Sequence, residues 1–201
     1  MIKKIAALIM CALCLTACAS EIPPVKEPVP ENMRQVITPP EDGWTAEELM
    51  SVSYVGGIQL AYPLTMESMG GSVYFEPQLG AGFAPSADGF LWYNIVIENE
   101  LNYFGDVNCK AVTFFRETDD ATADEPVRAI RLSSTQASLN GVKYNMPADD
   151  IEKYLGTPDR TEELEDNLMH YIYLDRESGS VLIDVRVNKF SNAVVYADVT
   201  F

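Results

Sequence analysis

The chain has 201 residues, 47% of them hydrophobic, and a formal charge of −16 with Lys+Arg 14 against Asp+Glu 30. So acidic a surface repels nucleic acid and anionic headgroups, which argues against a nucleic-acid partner. One histidine, His170, and four cysteines leave little for a transition-metal site, and no metal or cofactor is expected.

Met1-Ile2-Lys3-Lys4 is a short positive leader, and residues 5–15 are an uncharged, mostly apolar run. That run falls short of the ~20 residues that span a bilayer and fits a signal-peptide core. Leu15-Thr16-Ala17-Cys18 follows in register and reads as a bacterial lipobox. Residues 1–17 are then a lipoprotein signal peptide, with Cys18 acylated and first in the mature chain. Two or three acyl chains, at about 0.8 kcal/mol per buried CH₂, anchor firmly. The expected place is the bacterial cell envelope, on the extracytoplasmic side, with membrane contact through the N-terminal lipid only. Cys11 and Cys14 leave with the leader, so Cys109 is the remaining thiol and no internal disulfide is expected. Loss of Lys3 and Lys4 takes the formal charge from −16 to −18.

Residues 18–44 read as a lipid-anchored linker. Pro23, Pro24, Pro28, Pro30, Pro39 and Pro40 lie there without apolar periodicity. Extended at about 3.1 Å per residue, such a stretch is a spacer of some tens of ångströms. A proline-rich ligand motif is the sharper alternative, and a spacer behind a lipid is the commoner one.

Two folded units are expected beyond it, at residues 45–135 and 136–201. Thr45-Ala46-Glu47-Glu48 has the form of a capping box and opens a helix to about Met50, with an extended segment over residues 52–60. The second unit is the clearer. Pro147 suits a first helical turn, and Asp149 and Asp150 sit at the positive end of the helix dipole. Ile151, Tyr154 and Leu155 share one face, Gly156 can take the left-handed terminal position, and Pro158 stops the helix.

Gly57-Ile58-Gln59-Leu60-Ala61-Tyr62-Pro63 lies over Gly141-Val142-Lys143-Tyr144-Asn145-Met146-Pro147 without a gap. After a one-residue deletion, Met66, Met69 and Gly71 follow as partners of Ile151, Tyr154 or Leu155, and Gly156. Three strand-like runs then come in each half, at about residues 90–98, 108–116 and 127–132, and at 170–174, 181–187 and 193–201. Ile183, Val185 and Val187 alternate with Asp184 and Arg186, the mark of a sheet with one buried face. Short turns between runs give antiparallel neighbours. The expected fold class is α+β: two similar units, each a short helical segment packed on an antiparallel β-meander.

With a lipobox in front, a helix ending in Leu155-Gly156-Thr157-Pro158-Asp159, and then Tyr171-Ile172-Tyr173, the chain resembles the SmpA/OmlA (BamE-like) lipoproteins. Their fold is shared with β-lactamase-inhibitor-protein-like domains, sometimes in tandem. The resemblance covers about residues 141–201, and 57–132 through the repeat. It implies an envelope lipoprotein that works by contacting an envelope protein partner. No residue here matches that family's partner-contacting positions.

No Gly-x-Ser-x-Gly is present, and any Ser-His or Cys-His pair would have to use His170. An exposed or edge position is the default for that histidine, and a buried apolar role for Cys109. The acidic run from Asp119 to Glu125 lacks the spacing and glycine of an EF-hand, and Glu162-Glu163-Leu164-Glu165-Asp166 reads as a solvated loop. Phe90-Leu91-Trp92-Tyr93 offers a stacking surface, since adjacent strand residues point to opposite faces. Trp92 and Tyr93 are thus the candidate ligand-binding pair. The function read from these features is a non-catalytic, lipid-anchored binding or assembly module acting through protein–protein contacts. The alternatives are a carbohydrate- or cation-binding surface lipoprotein, or a carboxylate-dependent hydrolase.

Overall fold

The computed structural model describes residues 25–70, 73–77, 90–98, 103–114, 126–163 and 167–201. A 3₁₀ turn at Glu31–Met33 is followed by α1 (Ala46–Ser51), β1 (Ser53–Val55), β2 (Ile58–Gln59) and α2 (Met66–Met69). Then come β3 (Val73–Pro77), β4 (Phe90–Glu98), β5 (Tyr103–Phe114), β6 (Ala129–Leu132) and β7 (Ala137–Leu139). A 3₁₀ turn at Ala148–Asp150 leads into α3 (Ile151–Leu155), and β8 (Arg160–Glu163), β9 (Leu168–Leu174), β10 (Val181–Asn188) and β11 (Ala193–Thr200) complete the chain.

The strands form two antiparallel sheets, one in the order β2-β1-β7 and one in the order β3-β4-β5-β6-β11-β10-β9-β8. The fold is therefore α+β, mostly sheet with a few short helices. Each half does form an antiparallel meander, β3-β4-β5-β6 and β8-β9-β10-β11, but the two are not separate sheets. β6 pairs with β11, setting Ile130 opposite Val199 and Leu132 opposite Ala197, so the strands of both halves run on as one sheet. Each of α2 and α3 is followed by four strands of the large sheet rather than three, and β7 of the small sheet follows the first four. The unforeseen strands of the large sheet are β3 and β8, which are its two edges, and β7 of the small sheet was unforeseen too. All four residues of β8, Arg-Thr-Glu-Glu, are exposed, as suits an edge that must not recruit another chain.

Local chemistry explains the short helices. Thr45 Oγ1 accepts from the Glu48 N–H at 3.2 Å, and Glu48 Oε2 accepts from the Thr45 N–H at 3.1 Å, which is the capping box read from the sequence. A second box joins Thr65 and Ser68 at α2. That helix ends on Gly70, with φ +101, and not on Gly71 as the repeat had it. Gly156 ends α3 at φ +85, as expected. Gly56 and Gly57, both at positive φ, turn β1 into β2.

Ile183, Val185 and Val187 of β10 and Val199 of β11 lie in the core with Leu49, Met50, Val55, Ile58, Leu139, Ile151 and Leu155. One face of the large sheet is thus covered by α1, α3 and the small sheet. Each such side chain, fully buried, contributes about 1.5–3 kcal/mol.

The proline-rich segment departs most from expectation. Residues 25–43 lie along the body as a strap. The Val29 N–H donates to Gly57 O at 2.9 Å. The Gln35 N–H donates to the Tyr54 hydroxyl at 3.0 Å, and the Arg34 guanidinium sits 5.8 Å from the Tyr54 ring centre. Asn140, fully buried, accepts from the Ile37 N–H at 2.9 Å and donates back to Ile37 O at 2.9 Å and to Tyr154 O at 2.6 Å. A Cβ on Gly57 would stand 2.9 Å from Pro28 Cβ, so glycine lets strap and hairpin touch. The spacer reading fails for these residues because an extended proline segment leaves its remaining N–H and C=O groups free, and the body offers partners for them.

Candidate functional site

The strap ends where the β9–β10 turn, residues 175–180, meets α1. Asp175 builds that turn. Its Oδ1 accepts from the N–H groups of Glu177 and Ser178 at 3.0 and 2.7 Å, and its Oδ2 from Ala46 N–H at 3.3 Å. Burial opposes the charge, but the bonds from Ser178, Glu177 and Ala46 outweigh it and hold the carboxyl below its ordinary pKa. Arg176 clamps the strap with bonds of 2.9 Å to Asp42 and 2.9 Å to Glu48, while its N–H donates to Trp44 O at 2.9 Å. Glu48, too, is held below its ordinary pKa. Burial is again the opposing influence, and Arg176 and Thr45 overcome it. Trp44 is 1% exposed, and its indole Nε1–H donates to Leu155 O at 2.9 Å. Beside it the Tyr173 hydroxyl donates to Gly156 O at 3.1 Å, and burial pushes its pKa upward.

Two concave pockets flank the Asp175 turn. One, about 460 Å³, is bounded by Thr45, Glu47, Tyr62, Ser178, Ser180 and Phe201. Tyr62 is 49% exposed, and its ring lies 5.9 Å from that of Phe201. The other, about 620 Å³, is bounded by Glu41, Asp42, Trp44, Asp159, Tyr173 and Arg176. Carboxylates crowd both rims, and Arg176, the one base among the lining residues, is already engaged. The arrangement favours a cationic or hydroxyl-bearing partner with a flat face to set against Tyr62.

A second cluster lies on the opposite face of the large sheet. Arg131 on β6 makes a bidentate pair with Asp198 on β11 at 2.7 and 2.8 Å, which raises the arginine pKa further. Arg186 on β10 donates to Asp184 at 2.9 Å. The guanidinium groups of Arg131 and Arg186 stand 4.1 and 5.5 Å from the Tyr196 ring centre. His170 joins this cluster, with Nδ1 3.2 Å from Asp184 Oδ2. The edge expectation for His170 is corrected, because it is 4% exposed, between Arg186 of β10 and Glu162 of β8. Its Nε2 is buried with no partner among the described residues. A histidine–carboxylate pair activates a nucleophile only when a hydroxyl or thiol stands within about 2.6–3.2 Å of the free ring nitrogen. None among the described residues does, and the network joins strands β6, β11, β10 and β9.

The sequence candidates are scattered rather than gathered. Trp92 and Tyr93 fall on β4, opposite Val112 and Ala111 of β5. Their side chains lie outside what is described, as do Cys18 and the whole acidic run 119–125. Cys109 is on β5, opposite Leu132. Among the described residues no three His, Cys, Asp or Glu side chains are grouped to hold a metal. None of their helices is long and apolar enough to cross a membrane. Tyr62 and Phe201 escaped the sequence reading because each ends or interrupts an apolar run. The signal available was that Tyr62 precedes a proline.

No family model matches the chain, and no curated protein does. Two solved structures are similar. One is an extracellular protein containing a SCP domain from Bacillus anthracis str. Ames, at 14% identity and a TM-score of 0.33, covering 87% of this chain and 48% of that one. The other is a cysteine-rich secretory protein from Staphylococcus aureus subsp. aureus Mu50, at 15% identity and a TM-score of 0.30, covering 89% of this chain and 51% of that one. The chain spans about half the length of each. No family model matches, that of the SmpA/OmlA lipoproteins included, so the resemblance to them and to β-lactamase-inhibitor-protein-like domains is corrected. The residues that suggested it, Leu155-Gly156-Thr157-Pro158, are general helix-ending chemistry, a left-handed glycine and then a proline.

Proposed function

We propose that the protein is a non-catalytic, lipid-anchored binding module on the extracytoplasmic side of a bacterial envelope, acting through protein–protein contacts at the acidic end of its sheet. The observation that carries the reading is the pair of pockets meeting at the Asp175 turn, rimmed by Glu41, Asp42, Glu47, Asp159 and Glu177. Opposite charge on a partner would steer encounter and fix its orientation. Leu15-Thr16-Ala17-Cys18 supports the anchor. The finer reading, that residues 57–132 and 141–201 are copies of one unit, draws on the repeated Gly…Pro heptapeptide and on a helix followed by four strands of the large sheet in each half.

A photo-crosslinking residue placed at Tyr62 of the lipidated protein, in native membranes, tests the site. A specific envelope protein should be captured, and capture should fall when Glu47 and Glu177 are both changed to Lys, or when salt is raised. Capture indifferent to both changes would overturn the reading. The Tyr62–Phe201 pair beside Thr45, Ser178 and Ser180 favours one second reading, a carbohydrate ligand. A melting temperature that rises with oligosaccharide would select it, because a ligand of the folded state alone raises stability.

A further inference from the structure

We propose that the outer side of the strap, residues 25–37, is a membrane-docking surface, so that protein as well as lipid touches the bilayer. The inference rests on acylation of Cys18. From Cys18 to Val25 the chain can reach at most ~25 Å at ~3.3–3.6 Å per residue. Four residues later Val29 is already bonded to Gly57. The body therefore has no long spacer, and the start of the strap is its point nearest the headgroups.

The surface there suits a bilayer interface. Among the described residues six large hydrophobic side chains are exposed, and four belong to this region: Val25 (64%), Met33 (71%), Val36 (50%) and Tyr144 (45%). Tyr144 follows Lys143, which is paired with Glu31 of the strap. Charge points the same way. Lys26 and Arg34 balance Glu27 and Glu31, and Lys143 adds a further cation, in a chain that is otherwise strongly acidic. Residues 25–37 thus carry no net charge, and an anionic leaflet does not repel them as it does the acidic remainder.

Valine, methionine and tyrosine side chains gain by entering the interface. A short tether holds them at an effective concentration of order mM or above, where a weak contact suffices. From Ile37 the strap runs on seven residues to Trp44, up to ~22 Å at ~3.1 Å per residue. Docking by its first part directs the acidic pockets at its far end toward the envelope space.

The test uses the full lipidated protein with Cys109→Ser, in vesicles of phosphatidylethanolamine and phosphatidylglycerol. An environment-sensitive label is placed through Met33→Cys, Val36→Cys or Glu177→Cys, and quenched by spin-labelled headgroups. Labels at 33 and 36 should be quenched several-fold more than the label at 177, and Val36→Asp should remove the difference at 33 while leaving the melting curve in place. Equal quenching at all three positions, with mass spectrometry showing an acylated Cys18, would overturn the docking alone. An unmodified Cys18 would overturn the anchor and the docking together. Protection of position 33 in cells but not in vesicles would assign the surface to a protein and overturn the membrane as its occupant.

Discussion

The middle and the far end of the strap are fastened by different physics. Near its middle, backbone and side-chain groups bond inside the protein: Ile37 to fully buried Asn140, and Gln35 to Tyr54, itself 3% exposed. At its end, Arg176 reaches Asp42 and Glu48 in the open, and only Trp44 goes inside. A buried polar group left without its partner incurs the full loss of solvation, whereas an exposed ion pair exchanges one hydrated state for another. The number of contacts at each place is therefore a poor guide to which one holds.

Trp44→Ala should do most damage, about 3–5 kcal/mol in urea unfolding, because it empties a fully buried site and frees Leu155 O. Asn140→Ala comes next, at about 2–4 kcal/mol. It strands the N–H and C=O of Ile37 and the Tyr154 carbonyl together. Gly57→Ala should follow at about 1–2 kcal/mol, since φ is +87 and Pro28 stands in the way of a Cβ. Proteolysis within residues 25–35 should rise in that variant while the sheet stays intact. Arg176→Ala should have the smallest effect on unfolding, and high salt should remove it. If Arg176→Ala proved worse than Asn140→Ala, the ranking of buried over exposed fastening would be wrong.

Acid sharpens the same contrast. The pKa values of Glu48 and Asp175 are both lowered in the folded chain. Their contribution to stability is present above the ordinary carboxylate range and is lost as pH falls through the folded values, below about pH 4. The strap's end should therefore loosen before its middle on acidification, with Trp44 fluorescence changing ahead of the far-ultraviolet signal of the sheet.

Much of the sheet was legible and the strap was not. Residues 90–98, an aromatic and β-branched run, appear as β4 at the bounds read from the sequence, and 181–187 falls one residue short of β10, where period-two alternation encodes one buried face. β8 was invisible for the converse reason, since Arg-Thr-Glu-Glu buries nothing and an edge strand needs no apolar face. Proline density gave the strap the composition of a free linker. What decides its place is Asn140, whose role depends on a left-handed backbone, φ +45, and on a partner 103 positions away. His170 was misjudged because an arginine, Arg186, and Glu162 flank it across the sheet, a register that local sequence does not reveal. The acidic end was readable only as excess charge, and its pockets depend on how the strap, the turn and Phe201 converge.

Amide hydrogen exchange on the mature chain tests the strap most directly. Protection at Val29 and Ile37 comparable to that of β10 amides is the expected result, collapsing at Ile37 in Asn140→Ala. Exchange of both amides at the rate of an unstructured peptide, beside a protected sheet, would show a free linker and contradict the account.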